Sequence, residues 1–253
     1  MVSTSHPMIP RLITIPISHY CERARLGLRI AGVAYREEGH IPGLHGLHTR
    51  RHGQRQVPLL MTATGVVRNS EAILRYADQL QPECLFPLAH EAEVARICTL
   101  ADHEIGVPVR TIAYGFVFAT PGLFRDLASA RCPRSEQVLM RFAHPFLQRM
   151  IARGFGVNPK GIARAEQRLG AAVGQLELLL ADGRKFLVGD RLTAADISVA
   201  ALLGPLAIAR FDGGLAARST GLAARRAAYG AALIGQLIAR TYAAIDALPA
   251  VAQ

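Results

Sequence analysis

The sequence predicts two units of different class, an α/β unit over residues 9–82 and an all-helical unit over residues 90–253. Three observations carry that reading. Strand-like and helix-like segments alternate up to residue 80, in the order βαβ and then ββα. Residues 81–87 hold two prolines and read as an interdomain linker. Beyond them every periodic segment repeats at helical spacing.

Residues 11–16 form the first expected strand, stopped by Pro16. Ser18 then opens a helix to about residue 31, with Cys21, Ala24, Leu28 and Ala31 at helical spacing and Gly32 just past its end. A second strand is expected over 33–37. Residues 39–56, rich in Gly, His and Arg and without a period, read as loop with a helical turn. Strands over 57–61 and 66–68 flank a tight turn, and a helix over 70–80 presents Ala72, Ile73, Tyr76 and Ala77 on one face. In the second unit, Val94, Ile97, Cys98, Ala101 and Ile105 mark a helix ended or kinked near Pro108. Helices over 135–154 (bent at Pro145), 161–181, 193–211 and 222–247 complete the set.

Composition narrows the function. Hydrophobic residues are 51% and charged residues 19% of 253, which describes a globular chain. The longest apolar run, 197–209, is interrupted by Gly204 and Pro205 and is shorter than the roughly 20 residues of a membrane span. No apolar leader segment is seen in residues 1–10, and Cys21, Cys84, Cys98 and Cys132 show no zinc-type or paired spacing. A reducing cytoplasm is therefore expected, without a disulfide framework. The net charge of +10 comes almost wholly from arginines spread along the chain, Lys160 and Lys185 being the only lysines. Without a zinc-finger or aromatic–basic pattern this excludes a dedicated nucleic-acid module and leaves a general attraction to anionic ligands.

Three junctions carry candidate chemistry. At residues 16–25 a strand meets a helix, whose first amides are unpaired and whose dipole is positive there. A sulfur held at that spot is driven toward thiolate, and the Ser18 hydroxyl can donate to it. The alternative is that Ser18 is a plain N-cap. Gln56-Val57-Pro58 places a proline at the start of an internal strand, where a cis bond at a ligand-facing edge would leave the Val57 backbone free to pair with an extended peptide. At Asn69-Ser70 a second strand-to-helix junction can hold a carboxylate.

With these three in order, the chain resembles the glutathione transferase superfamily, over nearly its whole length and most specifically over residues 11–82. Ser18-His19-Tyr20-Cys21-Glu22-Arg23-Ala24 is similar to the tau-type box in which this serine activates glutathione, and its first four residues align with the Cys-Pro-Tyr-Cys box of glutaredoxins and omega-class enzymes. The resemblance implies a thioredoxin-like first domain and a helical second domain. It also implies a glutathione site made by Ser18, Tyr20, Gln56, Val57, Pro58, Asn69 and Ser70, with the last two at the γ-glutamyl group. Leu192 to Ile197 resembles the family's late-helix capping box: Thr193 caps, Asp196 reaches back and Leu192 packs on Ile197, a structural role. The implied function is a cytoplasmic, homodimeric transferase, with glutathione as co-substrate and a small hydrophobic electrophile as second substrate. Thiol exchange is a variant of that chemistry.

The departures are specific. His19 stands in place of a proline, and Asn69 in place of an acid, so the γ-glutamyl ammonium loses a charge partner. A non-catalytic binding or regulatory protein of the same fold is the competing function. Cys21 is the second catalytic candidate, with a buried packing role as its other reading, since Ser18 in the attacking position rules out a dithiol mechanism. His40, His45, His48 and His52 crowd one stretch, but no cysteine or paired carboxylate joins them and no metal is expected. Tyr114, Phe116 and Phe118 are the candidate apolar wall.

Overall fold

The computed structural model describes residues 9–210 and 214–249. The helix expected over 193–211 ends at Ala207, where Ile208 is extended; residue 211, the first eight residues and the last four lie outside the described residues.

The first unit is a thioredoxin-like α/β layer. β1 (Arg11–Thr14), β2 (Arg36–Gly39), β3 (Leu59–Thr62) and β4 (Gly65–Arg68) form one sheet in the order β2-β1-β3-β4. The β1–β2 pair is parallel and the other two are antiparallel. A crossover helix, α1 (His19–Ile30), makes the parallel pairing possible. The short α2 (His45–Arg50) and then α3 (Ser70–Leu80) complete the unit. β2 sits three residues later than the apolar run 33–37 suggested. It is an edge strand, and its exposed Arg36 and Glu37 carry no hydrophobic alternation.

The second unit begins with one long rod: α4 (Glu91–Leu100), a π-helical turn (Ala101–Gly106) and α5 (Val107–Ala119). Pro108 neither ends nor breaks it, because the wider turn just before it absorbs the missing amide. After α6 (Leu123–Ser129), which the sequence reading missed, come α7 (Arg134–Gly154), α8 (Pro159–Leu180) and α9 (Ala194–Ala207). The helix expected over 222–247 is two helices, α10 (Thr220–Ala231) and α11 (Leu233–Asp246). Gly235 permits the break, since a Cβ there would meet the Tyr229 carbonyl.

The expected linker is part of the core. Leu85 and Phe86 are buried, and their amides donate to Asp78 Oδ1 at 2.7 and 3.0 Å. Leu12, Leu28, Leu60 and Ile73 of the first unit share one buried cluster with Ile97, Leu169, Leu202 and Ile238 of the second. At its centre α9 is buried on every side and packs on α1, α4, α10 and α11. Its capping box forms as read: Asp196 accepts from the Thr193 amide at 2.9 Å and from the Leu187 amide at 2.8 Å.

A smaller cluster (Ile41, Val117, Phe124, Leu147 and Ile151) binds α7 to the segment before α2. Glu136, buried at the start of α7, accepts from the Ile41 amide at 2.8 Å and from His40 Nδ1 at 2.6 Å. Glu136→Ala strands both partners, which should cost about 1–3 kcal/mol and lower the melting temperature by roughly 2–10 °C. Accelerated hydrogen exchange at the Ile41 amide would localise the loss. An unchanged melt and unchanged exchange would show that α7 does not depend on this clamp.

Candidate active site

The segment after β1, the segment before β3, the first turn of α1, the start of α3 and the α5–α7 pair enclose a cleft of 810 Å³, a size typical of small-molecule sites. Ser18, Val57, Pro58, Asn69 and Ser70 all line it, as do Tyr20 and Gln56.

Ser18 is the N-cap of α1, and its Oγ accepts from the Cys21 amide at 3.4 Å. That contact uses an acceptor position only, and the hydroxyl proton is left for the neighbouring Cys21 thiol or for an acceptor in the cleft. Capping and thiolate stabilisation, posed as alternatives by the sequence, are compatible in one side chain. Cys21 is fully buried, lies off the cleft wall, and burial pushes its thiol up from the ordinary range. Of the two candidates at this junction only Ser18 reaches the cleft.

His19 and Tyr20 tie α1 to the π-helical turn. His19 Nε2 lies 3.0 Å from the Gly106 carbonyl and the Tyr20 hydroxyl donates to the Asp102 carbonyl at 3.1 Å. A carbonyl only accepts, so His19 carries its proton on Nε2. Burial, helped by the nearby Arg110 charge, lowers its pKa to about 3 and keeps the ring neutral. The position read as a missing proline is thus an anchor between the units. Gly106 is required here, because a Cβ would sit 2.5 Å from the Tyr20 hydroxyl oxygen.

Across the cleft the Val57–Pro58 peptide is cis. At the α3 junction the cap is Asn69. Asn69 has φ +66° and its Oδ1 accepts from the Ala72 amide at 2.9 Å. Ser70 is the first helical residue, and the amides of Ser70 and Glu71 precede the first backbone-bonded amide, that of Ile73. The Ser70 Oγ accepts twice from Arg23, from Nε at 2.9 Å and from an Nη at 2.7 Å. Both lone pairs are engaged and its proton remains free to donate.

Arg23 was not singled out by the sequence. It is 1% exposed, pairs with Asp102 at 2.9 Å and reaches the Ser198 hydroxyl at 3.4 Å. One guanidinium therefore joins α1, α3, the π-helical turn and α9. The Arg23-Ala24 pair contributed to the family resemblance but gave no hint of these partners, which lie 47 to 175 residues away.

The apolar wall differs from the expected one. Tyr114 lines the cleft, whereas Phe116 packs on Gly221 and Phe118 stacks on Tyr114 behind the wall. Met150, Ile151 and Phe155, from α7 and its end, supply the rest. Spacing along α5 could have found the correct face, since His103, Val107, Arg110 and Tyr114 share it. The cleft also carries Arg55 and Arg226, against the acids Glu71 and Asp102, the latter paired with Arg23.

Outside the cleft, Glu38, His40 and His48 bring ligand atoms within 4.8 Å of one another. The two imidazoles are stacked at 3.6 Å, and a metal bound by both must lie in the plane of each ring, a condition face-to-face rings do not meet. His40 instead bridges Glu38 at 2.9 Å and Glu136, while Arg11 pairs with Glu38 at 3.3 Å. As it stands the group is an ion-pair knot under α7. Among the described residues no helix is long and apolar enough to cross a membrane.

Residues 12–84 match the family model described as glutathione S-transferase, N-terminal domain, and residues 159–224 that described as glutathione S-transferase, C-terminal domain. The chain belongs to the glutathione S-transferase family. The stretch between the two matched regions, 85–158, includes all of α6 and α7, so this transferase builds one cleft wall from residues that neither family model matches. Solved structures agree in fold. A glutathione S-transferase of Ceriporiopsis subvermispora in complex with glutathione aligns at 17% identity over 97% of this chain and 99% of that one, TM-score 0.64. A glutathione transferase from Phanerochaete chrysosporium aligns at 18% over 98% and 100%, TM-score 0.65. A beta-etherase from Sphingobium aligns at 19% over 92% and 100%, TM-score 0.60. No curated protein matches the chain in sequence.

Proposed function

We propose that the chain is a glutathione transferase in which Ser18 holds the thiol of glutathione as thiolate for attack on a small hydrophobic electrophile. The observation that carries this is the Ser18 hydroxyl: engaged as acceptor by the Cys21 amide, it lines the cleft at the positive end of α1 with a proton it can turn from the neighbouring Cys21 thiol to a ligand sulfur. In this reading the peptide ligand runs beside Val57 and Gln56, with the ring of Tyr20 as wall. Its γ-glutamyl carboxylate meets the Ser70 hydroxyl and the first amides of α3. An excess of arginines over acids suits a ligand with two carboxylates and a thiolate. The four free cysteines accord with a reducing compartment. Assembly as a homodimer belongs to the same reading and is checked by light scattering.

Calorimetric titration with glutathione, followed by turnover against a panel of electrophiles, tests the proposal. Binding without turnover of any of them would favour a binding or regulatory protein of this fold, and no binding would overturn both readings.

Asn69→Asp gives a finer test of orientation. Aspartate caps as well as asparagine, so the helix keeps its start while a negative charge is added beside the ligand ammonium. An exposed pair of this kind is worth up to about 1 kcal/mol, and glutathione affinity should rise about two- to fivefold. Weaker binding would place the ligand carboxylate, not its ammonium, against residue 69.

A further inference from the structure

We propose that the electrophile accepted by this cleft carries an anionic group, held by Arg110 with the added charge of Arg226. The proposal rests on the glutathione reading above and specifies its second substrate as an acidic, aromatic electrophile.

Arg110 lies in the middle of the α5 face that runs from His103, at the α3 end of the cleft, through Val107 to Tyr114 at the apolar end. Its guanidinium stacks on the Phe155 ring at 3.9 Å. Stacking occupies a face of the guanidinium and leaves its in-plane N–H groups to be satisfied. Among the described residues none of them is: Arg110 has no ion pair and no hydrogen bond, and its Nε is buried without a partner. A buried donor left unpaired costs stability, so the cleft holds a charged, pre-aligned fork in need of an acceptor. The two acids of the π-helical turn on the same rod are committed elsewhere, Asp102 to Arg23 and Glu104 to Arg168.

From the opposite wall Arg226 of α10 brings a second positive charge, braced by two contacts to the Pro205 carbonyl at 3.1 and 3.3 Å. Around the fork stand Tyr114, Phe155 and Ile151, surfaces for a planar ring. The carboxylates of glutathione do not need Arg110. One is met by the start of α3, and the other end of an extended peptide lying along Val57 falls by Gln56, Arg55 and His45. A planar fork reading a carboxylate in two parallel hydrogen bonds is what an arginine, unlike a lysine, provides.

A matched pair of substrates tests this: 4-chloro-3,5-dinitrobenzoate and its methyl ester. In both, the glutathione sulfur bonds to the ring carbon bearing chlorine, chloride departs, and the thiol proton goes to water. The wild type should prefer the acid in kcat/KM. Arg110→Met should lose about ten- to hundredfold on the acid and stay within about threefold on the ester. Equal losses on both would show that Arg110 serves the thiolate and would overturn the proposal, as would a wild type without preference. Calorimetric binding of unreactive 3,5-dinitrobenzoate, with and without glutathione, needs no turnover. Binding to the wild type but not to Arg110→Met upholds the anion site even if glutathione fails to bind, a result that would sink only the transferase reading. Should Arg110→Met not fold, Arg110→Lys keeps the charge without the fork and should show a smaller loss confined to the acid. A loss spread over both substrates would again overturn the proposal.

Discussion

Asp102→Ala is expected to lower the melting temperature by roughly 6–20 °C, more than any other single change considered. The substitution leaves Arg23 fully charged, 1% exposed, with two hydroxyls and no carboxylate. Breaking a buried ion pair by removing one partner costs about 3–5 kcal/mol, because the remaining charge is uncompensated, and in a chain of this size each kcal/mol is worth roughly 2–4 °C. Removing both charges should cost much less than the two single losses together. Asp102→Leu with Arg23→Met is therefore expected to melt closer to wild type than Asp102→Ala does. A second readout follows from Ser70, which Arg23 holds through two hydrogen bonds: glutathione affinity should fall in Asp102→Ala along with stability. A melt within about 2 °C of wild type would mean that water reaches Arg23 freely and that the network is weaker than its geometry.

Ser18→Ala is expected to reduce kcat by about a hundred- to a thousandfold, the usual cost of deleting one pre-aligned donor to a developing or resident anion. The ultraviolet absorbance of bound thiolate should shift to higher pH in parallel. The same mutation also removes the α1 cap, worth about 0.5–2 kcal/mol, so a melt alone is ambiguous. Ser18→Asp separates the roles. Aspartate caps α1 as well as serine does, but offers no proton and sets a negative charge against the thiolate. The folded, inactive Ser18→Asp protein is the predicted result; an active one would remove Ser18 from the chemistry and leave it as a cap.

Short-range signals were legible in the sequence because the residues that make them are contiguous. The Ser18 cap, the proline opening β3, the α3 junction and the Thr193–Asp196 box each lie within a few positions, and each folds locally as read. One local reading changed: the 222–247 helix split at Ala232, where the backbone is extended. Partnerships across the chain were not legible. Nothing in the spacing of Arg23 announces Asp102 and Ser198, and Glu136 reads as an ordinary helix acid until Ile41 and His40 are folded against it. The apolar wall failed for a geometric reason. Phe116, two residues from Tyr114 and Phe118, is turned to another side and packs on Gly221, whereas Phe118 shares the Tyr114 face but stacks beyond it, so that of the three only Tyr114 lines the cleft.

The π-helical turn at Ala101–Gly106 sets the rotational phase of everything after it. Each residue of a helix turns the chain by about 100°. Upstream of the turn, Val94, Ile97 and Cys98 aim at the core; downstream, Val107, Arg110 and Tyr114 aim at the cleft. One residue fewer in that turn would swing Arg110 and Tyr114 away from the cleft and turn Val109 and Ile112 of the same helix out of the core. The facing of the cleft wall is thus set partly by length, by the number of residues in one turn.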